Sequence, residues 1–434
     1  MAKKPRRVAF DILLKIEKDN AYSNLTLDGI LSSSGLDTRD KAFVSALVYG
    51  VTEQKLTLDY QLASCLDKPL KKLKPQVLVI LRLGVYQLLF MDKVPDSACV
   101  NESVKLTKET GCSFASSLVN AVLRRCAKNG LILPPEDSPD YISVKYSCPK
   151  PLCDKWISEY GLEDTVSLLS SSVGANDTVI RVNTVKTCVT ELKSLLEKEG
   201  VSVHDGYLEN SLILKDFGDI EKLEAYQNGL FHVQDTASQL CVKALSPLPG
   251  QTVYDVCSAP GGKAFTAAEM MKNEGKVLAF DIYEHRVKLI SDGAKRLGLD
   301  IVSSSVSDAA VLNPSLKKAD RVLCDVPCSG LGIIRRKPEI KYKSLESLEG
   351  LPDIQLKILK TACEYLKVGG RLVYSTCTLN KKENEEVVSR FLSENKSFAL
   401  ACDCEDNGGK AMRTLMPHKN NSDGFFIAVL ERKK

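Results

Sequence analysis

Along the first 130 residues apolar side chains return every third or fourth position, with almost no alternating β-branched runs: Ala9, Ile12, Leu13, Ile16; Phe43, Leu47, Val51; Leu78, Ile80, Leu83, Leu88; Phe114, Leu118, Val122. This spacing predicts an all-α module. The stretch from Lys71 to Phe90, apolar nearly all round, reads as a central bundle helix. Asn129-Gly130 and the prolines at 134, 135 and 139 then end a helix and read as a linker. From 140 to 245 the pattern turns to short mixed elements. Strands are expected at Thr178–Val182, Ser211–Leu214 and Leu230–Val233, and an amphipathic helix at Val189–Lys198 stopped by Gly200, which suits a small α+β domain. After Pro249-Gly250, short apolar runs at 252–257, 276–281, 301–306, 321–326 and 371–377 alternate with helical patterns such as Tyr283–Leu297. That alternation predicts a parallel sheet covered on both faces. Phe425–Glu431 is expected as a last, antiparallel strand.

The chain therefore divides into 1–133, 140–245 and 246–434, in keeping with two or three domains for 434 residues. An apolar share of 44% and a charged share of 26% are ordinary for a soluble globular protein. The longest apolar run, Val77–Phe90, is broken by Arg82 and is shorter than the ~20 residues of a membrane span, so none is expected. The Lys- and Arg-rich start leads into an amphipathic segment, unlike a signal peptide, and implies a cytoplasmic protein. Fifteen cysteines include no CxxC pair, and the four histidines form no cluster with them, so no metal site is expected. Residues 1–130 hold 20 Lys and Arg against 13 Asp and Glu, a net of +7, and the remainder 39 against 42, a net of −3. Lys3–Arg7, Lys68–Lys74 and Arg124-Arg125 concentrate the positive charge. They read either as solvated helix faces or as a phosphate-binding surface.

Candidate chemistry lies in the third region. Val253-Tyr-Asp255-Val-Cys257-Ser258-Ala259-Pro260-Gly261-Gly262-Lys263 runs from a strand into a helix starting near Ala264. Glycines there admit close backbone approach, and the helix start presents free N–H groups. The next strand ends in Asp281, where a carboxylate can accept from both hydroxyls of a ribose, so a nucleoside-containing cofactor is implied. The spacing is neither GxGxxG nor GxxxxGK[ST]. Asp308, after the third strand, reads equally as a contact to an adenine edge or as a helix cap. The fourth and fifth strands end in Asp325-Val-Pro-Cys328-Ser-Gly and Ser375-Thr-Cys377, bringing two thiols and an acid beside the same crevice. Two buried small hydrophobes would be the ordinary reading of such cysteines; their location makes a nucleophile with an acid partner the better one.

The segments Asp255–Lys263, Asp325–Gly330 and Ser375–Cys377 together resemble the S-adenosylmethionine-dependent RNA cytosine-C5 methyltransferases of the Sun/Fmu (NOL/NOP/sun) family. Arg181-Val-Asn183 and Gln234-Asp235 are similar to that family's pre-catalytic, ferredoxin- or RRM-like domain, and Asp423-Gly-Phe-Phe426 to its terminal strand. Arg82-Leu-Gly-Val-Tyr-Gln87 and Val119-Asn-Ala-Val-Leu-Arg124 resemble the NusB-like antitermination domain, a fusion typical of the family's 16S ribosomal RNA branch. Ala264 stands where the family more often has Thr. The resemblance implies an all-α NusB-like domain, a small α+β domain and a Rossmann-like α/β methyltransferase domain. It assigns Cys377 as nucleophile, Cys328 to removal of the C5 proton and product release, and Asp325 to stabilising charge at cytosine N3. It maps cofactor contacts to Cys257, Ser258, Ala259, Pro260, Gly261, Gly262, Lys263, Asp281, Asp308 and Asp325.

Since a paired base cannot be attacked at C6, the target cytosine must be unstacked or lie in a loop. Arg335, Arg336 and Lys337, just past the Pro-Cys loop, are candidate contacts to the RNA backbone. The basic helical module would act as a second RNA clamp or dock a ribosomal partner. The implied partner is 16S ribosomal RNA, with neither DNA nor membrane, acted on by a monomer. Rival readings are a transfer-RNA methyltransferase and a non-catalytic RNA-binding or antitermination protein on a methyltransferase scaffold.

Overall fold

The structure, a computed structural model, describes residues 4–19, 23–174, 177–401 and 405–434. Lys3 of the first basic run lies outside them. The chain groups into two compact units, Met1–Gly174 with Ile334–Leu345, and Ala175–Ile333 with Glu346–Lys434.

The first unit is helical: α1 Pro5–Asp19, α2 Ser23–Ser32, α3 Thr38–Glu53, α4 Lys55–Cys65, α5 Pro75–Phe90, α6 Asp96–Glu109, α7 Ser116–Asn129, α8 Tyr141–Lys145, α9 Lys150–Tyr160 and α10 Leu162–Ser171. Val44, Leu47, Leu58, Leu62, Ile80, Leu81 and Leu123 form its core. The central helix starts at Pro75 rather than Lys71, and Leu70–Lys72 make a separate 3₁₀ turn. Proline at the first helical position has no N–H to leave unpaired, but it disfavours helical geometry in the residue before it. Close helix packing rests on two glycines. A Cβ on Gly50 would lie 1.9 Å from Tyr86 Cζ, and one on Gly84 2.6 Å from Leu123 Cδ1. Phe114, spaced as a core residue, is instead 66% exposed. It sits in the 3₁₀ turn Ser113–Ala115, ahead of the helix that begins at Ser116, so it leaves the buried stripe, and Lys74 Nζ lies 4.7 Å from its ring centroid.

The second unit holds two sheets. The smaller comprises β1 Thr178–Val182, β2 Ser202–Asp205, β3 Ser211–Lys215 and β4 Phe231–Val233 in the order β2-β3-β1-β4, all antiparallel. It carries α11 Val189–Lys198 and α12 Glu224–Gln227 over a core of Ile180, Val182, Leu192, Leu196, Leu212 and Phe231. After α13 Thr236–Leu245 comes the larger sheet: β5 Thr252–Asp255, β6 Lys276–Asp281, β7 Val302–Val306, β8 Ala319–Asp325, β9 Leu366–Thr376, β10 Phe398–Leu400, β11 Met412–Leu415 and β12 Phe425–Arg432. Its order is β10-β12-β9-β8-β5-β6-β7, with β11 also on β12. The five strands β5 to β9 are parallel, and β12 runs antiparallel to β9. Helices α14 Gly262–Met270, α15 Glu284–Leu297, α16 Leu351–Glu364 and α17 Glu385–Glu394 complete it. Two apolar clusters, one around Phe265, Ile290 and Leu297 and one around Leu359, Tyr374 and Phe391, contain the core. The edge strand β7, with Ser303, Ser304 and Ser305, is largely exposed, unlike the apolar runs of the inner strands. The parallel pairing brings the carboxyl ends of β5, β6, β7, β8 and β9 to one rim, where an open α/β sheet gathers its ligands.

Candidate active site

Across that rim the register sets Asp255 beside Leu323 and Ala279, and Asp325 beside Ser375. The loop after β5 folds back at once: Ser258 N donates to Phe280 O at 2.7 Å and Gly261 N to Ser258 O at 2.7 Å. Gly261 has φ +109°, and a Cβ there would meet Phe265 Cζ at 2.4 Å, so both conformation and space require glycine. Helix α14 starts at Gly262, slightly before the expected Ala264.

Lys263, on the first turn of α14, places Nζ 2.7 Å from Asp325 Oδ2, while Ser375 Oγ donates to Asp325 Oδ1 at 2.7 Å. Burial favours the neutral amine at Lys263, but the carboxylate of Asp325 and its neighbours outweigh it and hold the ammonium above the ordinary lysine range. Asp255, at the end of β5, is 1% exposed, and no hydrogen bond of normal geometry reaches either of its carboxyl oxygens or the buried Ser258 hydroxyl. Burial pushes the Asp255 carboxyl up to about 7, with the nearby Ser258 hydroxyl and Lys263 opposing. Cys257 is likewise pushed well up by burial and the surrounding acids.

On one side of this centre are the thiols. Cys328 Sγ and Cys377 Sγ stand 3.3 Å apart, both half-buried. The hydrogen bond with Cys377, followed by burial, holds the Cys328 proton well above the ordinary thiol range. Either sulfur can donate to the other in this contact. On the other side Asp281 closes β6, accepts Tyr283 N at 3.2 Å through Oδ1 and pairs with Arg286 at 3.3 Å through Oδ2. Ser307 N donates to Asp281 O at 3.0 Å, tying the Asp308 turn to the same rim. Asp308 is exposed, and its Oδ1 accepts Ala310 N at 2.8 Å. Of the loop residues, Ser258 and Gly261 are buried, Cys257, Ala259, Gly262 and Lys263 intermediate, and Pro260 exposed. Arg335, Arg336 and Lys337 are half-buried in the Ile334–Leu345 segment, which groups with the helical unit rather than with the rim.

Sequence reasoning missed the polar residues behind the thiols. Glu383 is fully buried, and its carboxylate accepts from Ser329, Asn380 and Gln355. In the sequence it sits within the polar run Asn380-Lys-Lys-Glu-Asn-Glu-Glu386, which looks like any solvated helix start. Its only distinguishing signal is closeness to Cys377. Among the described residues no group of three His, Cys, Asp or Glu side chains is arranged to hold a metal ion, and no helix is long and apolar enough to cross a membrane.

Comparison with known proteins bears on this rim directly. Residues 242–431 match the family model described as 16S rRNA methyltransferase RsmB/F. The probable ribosomal RNA small subunit methyltransferase B of Bacillus subtilis is 36% identical over 441 residues, covering 99% of this chain and 98% of that one. The chain belongs to the RsmB/F family of 16S rRNA methyltransferases. The ribosomal RNA small subunit methyltransferase B of Pseudomonas putida is 29% identical, with 98% of each chain covered. The crystal structure of PH0851 is 26% identical, with a TM-score of 0.82 and 100% coverage of both chains. Residues 3–128 match the NusB family and 148–221 the ferredoxin-like domain of RsmF/B-like methyltransferases. In this RsmB/F chain the helical module, the small antiparallel sheet and the methyltransferase sheet are thus each recognised separately.

Proposed function

We propose that this RsmB/F-family protein methylates C5 of a cytosine in 16S ribosomal RNA, with S-adenosylmethionine as donor and a cysteine–C6 adduct as intermediate. The observation that carries the reading is the thiol pair at 3.3 Å beside the Lys263–Asp325 pair at the ends of adjacent parallel strands. The rim also suits the cofactor. Asp255 and Ser258 present buried polar atoms without partners, α14 presents free N–H groups, and Asp281 lies beside the exposed apolar Ile282 and Tyr283. Cys257 to Lys263, Asp281, Asp308 and Asp325 would line it, and when bound it supplies an electrophilic methyl group on a sulfonium.

C5 of cytosine is a weak nucleophile. Once Cys377 has lost its proton to solvent, addition of the thiolate sulfur to C6 breaks the C5–C6 π bond, pushes electrons toward N3 and makes C5 reactive. Asp325, with the ammonium of Lys263 against it, offers a proton-bearing pair for the charge at N3. The contact with Cys377 and burial hold the Cys328 proton well up, which favours Cys377 as the attacking sulfur. Once that sulfur is bonded to carbon its hold on the Cys328 proton weakens. Cys328 can then lose it to solvent, take the C5 proton and let Cys377 depart by elimination. Residues 1–133 and the cationic Arg335-Arg336-Lys337 stretch would hold the RNA, 140–245 would lead it to the rim, and 246–434 would carry the chemistry.

The test is transfer of labelled methyl from S-adenosylmethionine to naked 16S RNA, assembled small subunits and transfer RNA, with the product nucleoside identified by mass spectrometry. 5-Methylcytidine in 16S RNA is the expected product; label in transfer RNA alone would sink the substrate assignment. Cys377→Ala should neither methylate nor form adduct, a loss on the order of 10³-fold or more. Cys328→Ala should accumulate an RNA adduct stable on a denaturing gel. Adduct in Cys377→Ala would overturn the assignment of the nucleophile.

A further inference from the structure

Glu383 spends a buried charge on a place where no reacting atom lies. Its side chain is 0% exposed, and four donors converge on the carboxylate. Oε1 accepts Ser329 Oγ at 2.5 Å and Asn380 Nδ2 at 2.8 Å; Oε2 accepts Ser329 N at 2.9 Å and Gln355 Nε2 at 2.9 Å. A carboxylate has about four lone-pair sites, so each is used, and all by donors. Burying such a group is costly unless it is fully hydrogen-bonded. A glutamine in its place would turn an N–H₂ group toward two donors.

The partners are the residues that follow the thiols. Ser329 succeeds Cys328 and is held through both its N–H and its hydroxyl. Thr378 succeeds Cys377, and its hydroxyl lies 2.7 Å from Ser329 Oγ. Since the Ser329 hydroxyl donates to Glu383, Thr378 is the donor in that contact, and the chain of hydrogen bonds runs from one loop through Ser329 to the carboxylate. Gln355 Nε2 reaches Pro327 O at 3.0 Å as well, so the residue before Cys328 is held too. Glu383 is anchored in turn by its own carbonyl, which accepts Tyr374 OH at 2.6 Å.

We infer that Glu383 is the positioning residue that clamps the Cys328 and Cys377 loops together and fixes the distance between their sulfurs. Its charge also adds to the hold on the Cys328 proton, behind the stronger contributions of Cys377 and burial. The spacing stands on geometry alone. Its consequence for turnover rests on the two-thiol reading given above: a loosened clamp leaves Cys377 able to attack and Cys328 out of place for release.

The test uses the full chain and two independent readouts. Phenylarsine oxide, a trivalent arsenical that bridges neighbouring thiols, is titrated against the wild type, Glu383→Gln and Asn380→Ala and followed by intact mass, with Cys328→Ser marking which adduct belongs to the pair. Wild type should take up the arsenical at this pair, Glu383→Gln should bind it at least tenfold more weakly, and Asn380→Ala, which removes one of four donors, should lose two- to fivefold. Calorimetric S-adenosylmethionine affinity should stay within twofold, reporting an intact cofactor side. In the methylation assay Glu383→Gln should lower kcat at least tenfold with little change in the KM for RNA, accumulate covalent RNA as Cys328→Ala does, and shift the alkaline limb of the pH profile to lower pH. Wild-type arsenical capture in Glu383→Gln would overturn the inference. If that variant does not fold, wild-type capture in Asn380→Ala overturns it instead. Weakened capture with normal turnover would leave the clamp standing and sink the two-thiol reading.

Discussion

The two units each bury a cluster of charged side chains, and they satisfy them differently. In the helical unit Arg82, 5% exposed, donates Nε and Nη2 to the two oxygens of Asp59, each at 2.7 Å, and Nη1 to Glu17 at 3.1 Å. Lys55 adds a second cation to Glu17 at 3.0 Å. Burial raises the Glu17 carboxyl, but Arg82 and Lys55 outweigh it and hold it low. At the methyltransferase rim Lys263 and Asp325 pair, yet Asp255 beside them has no hydrogen-bond partner and is raised to about 7. A closed cluster fixes helices in register and has nothing left to give. An incomplete one keeps unspent hydrogen-bonding capacity where a ligand arrives.

The contrast is broken most severely at Arg82. Arg82→Met leaves two carboxylates without their shared cation and should cost about 3–5 kcal/mol of stability in urea unfolding, with S-adenosylmethionine affinity of the folded fraction unchanged. Lys263→Met, the counterpart at the rim, should instead cost methyl transfer roughly 10²- to 10³-fold, read as a drop in kcat, with a smaller change in unfolding midpoint. Equal stability losses in the two variants would remove the distinction drawn between them.

Asp255 sharpens the comparison through pH. Its folded-state pKa lies above the ordinary aspartate value near 4, so the fold holds this proton more tightly than the unfolded chain does. The contribution is fully present below about pH 4, declines as pH rises, and is lost once pH passes about 7. Asp255→Asn should abolish this component, worth on the order of a few kcal/mol, so that stability measured at pH 5 and pH 8 differs less than in the wild type. An unchanged difference would show that Asp255 is not the incomplete member of the cluster. The smallest effect is steric: Gly84→Ala forces a methyl against Leu123 and should cost about 1–3 kcal/mol, confined to the helical unit and without effect on cofactor binding.

Much of the architecture was legible because apolar periodicity reports burial directly. Thr178–Val182, Val189–Lys198 and Lys276–Asp281 coincide with their predicted bounds. Strands β2, β10 and β11 were not foreseen: each is four residues or fewer, β2 and β11 are partly polar, and the three apolar residues of β10 are too few to show a period. Phe114 misled because a pattern of spacing carries no information on where a helix starts. At the rim, the motif residues could be placed by strand ends alone, since parallel strands deliver their carboxyl ends to one side. The pairing of Lys263 with Asp325 and the burial of Glu383 could not, because both depend on contacts 62 and 54 residues distant in sequence.

Strand β12 pairs with β9, the strand whose end carries Cys377, and just before it Gly424 N donates to Gly332 O at 2.8 Å. A Cβ on Gly332 would stand 1.9 Å from Gly424 O, so these two backbones touch directly. Synthesis proceeds from the amino terminus, and β9 leaves the ribosome well before β12. A nascent chain can therefore expose both cysteines while the brace behind them is still untranslated. The protein's own order of manufacture therefore delays the completion of this edge of the sheet until residues 424–432 have emerged.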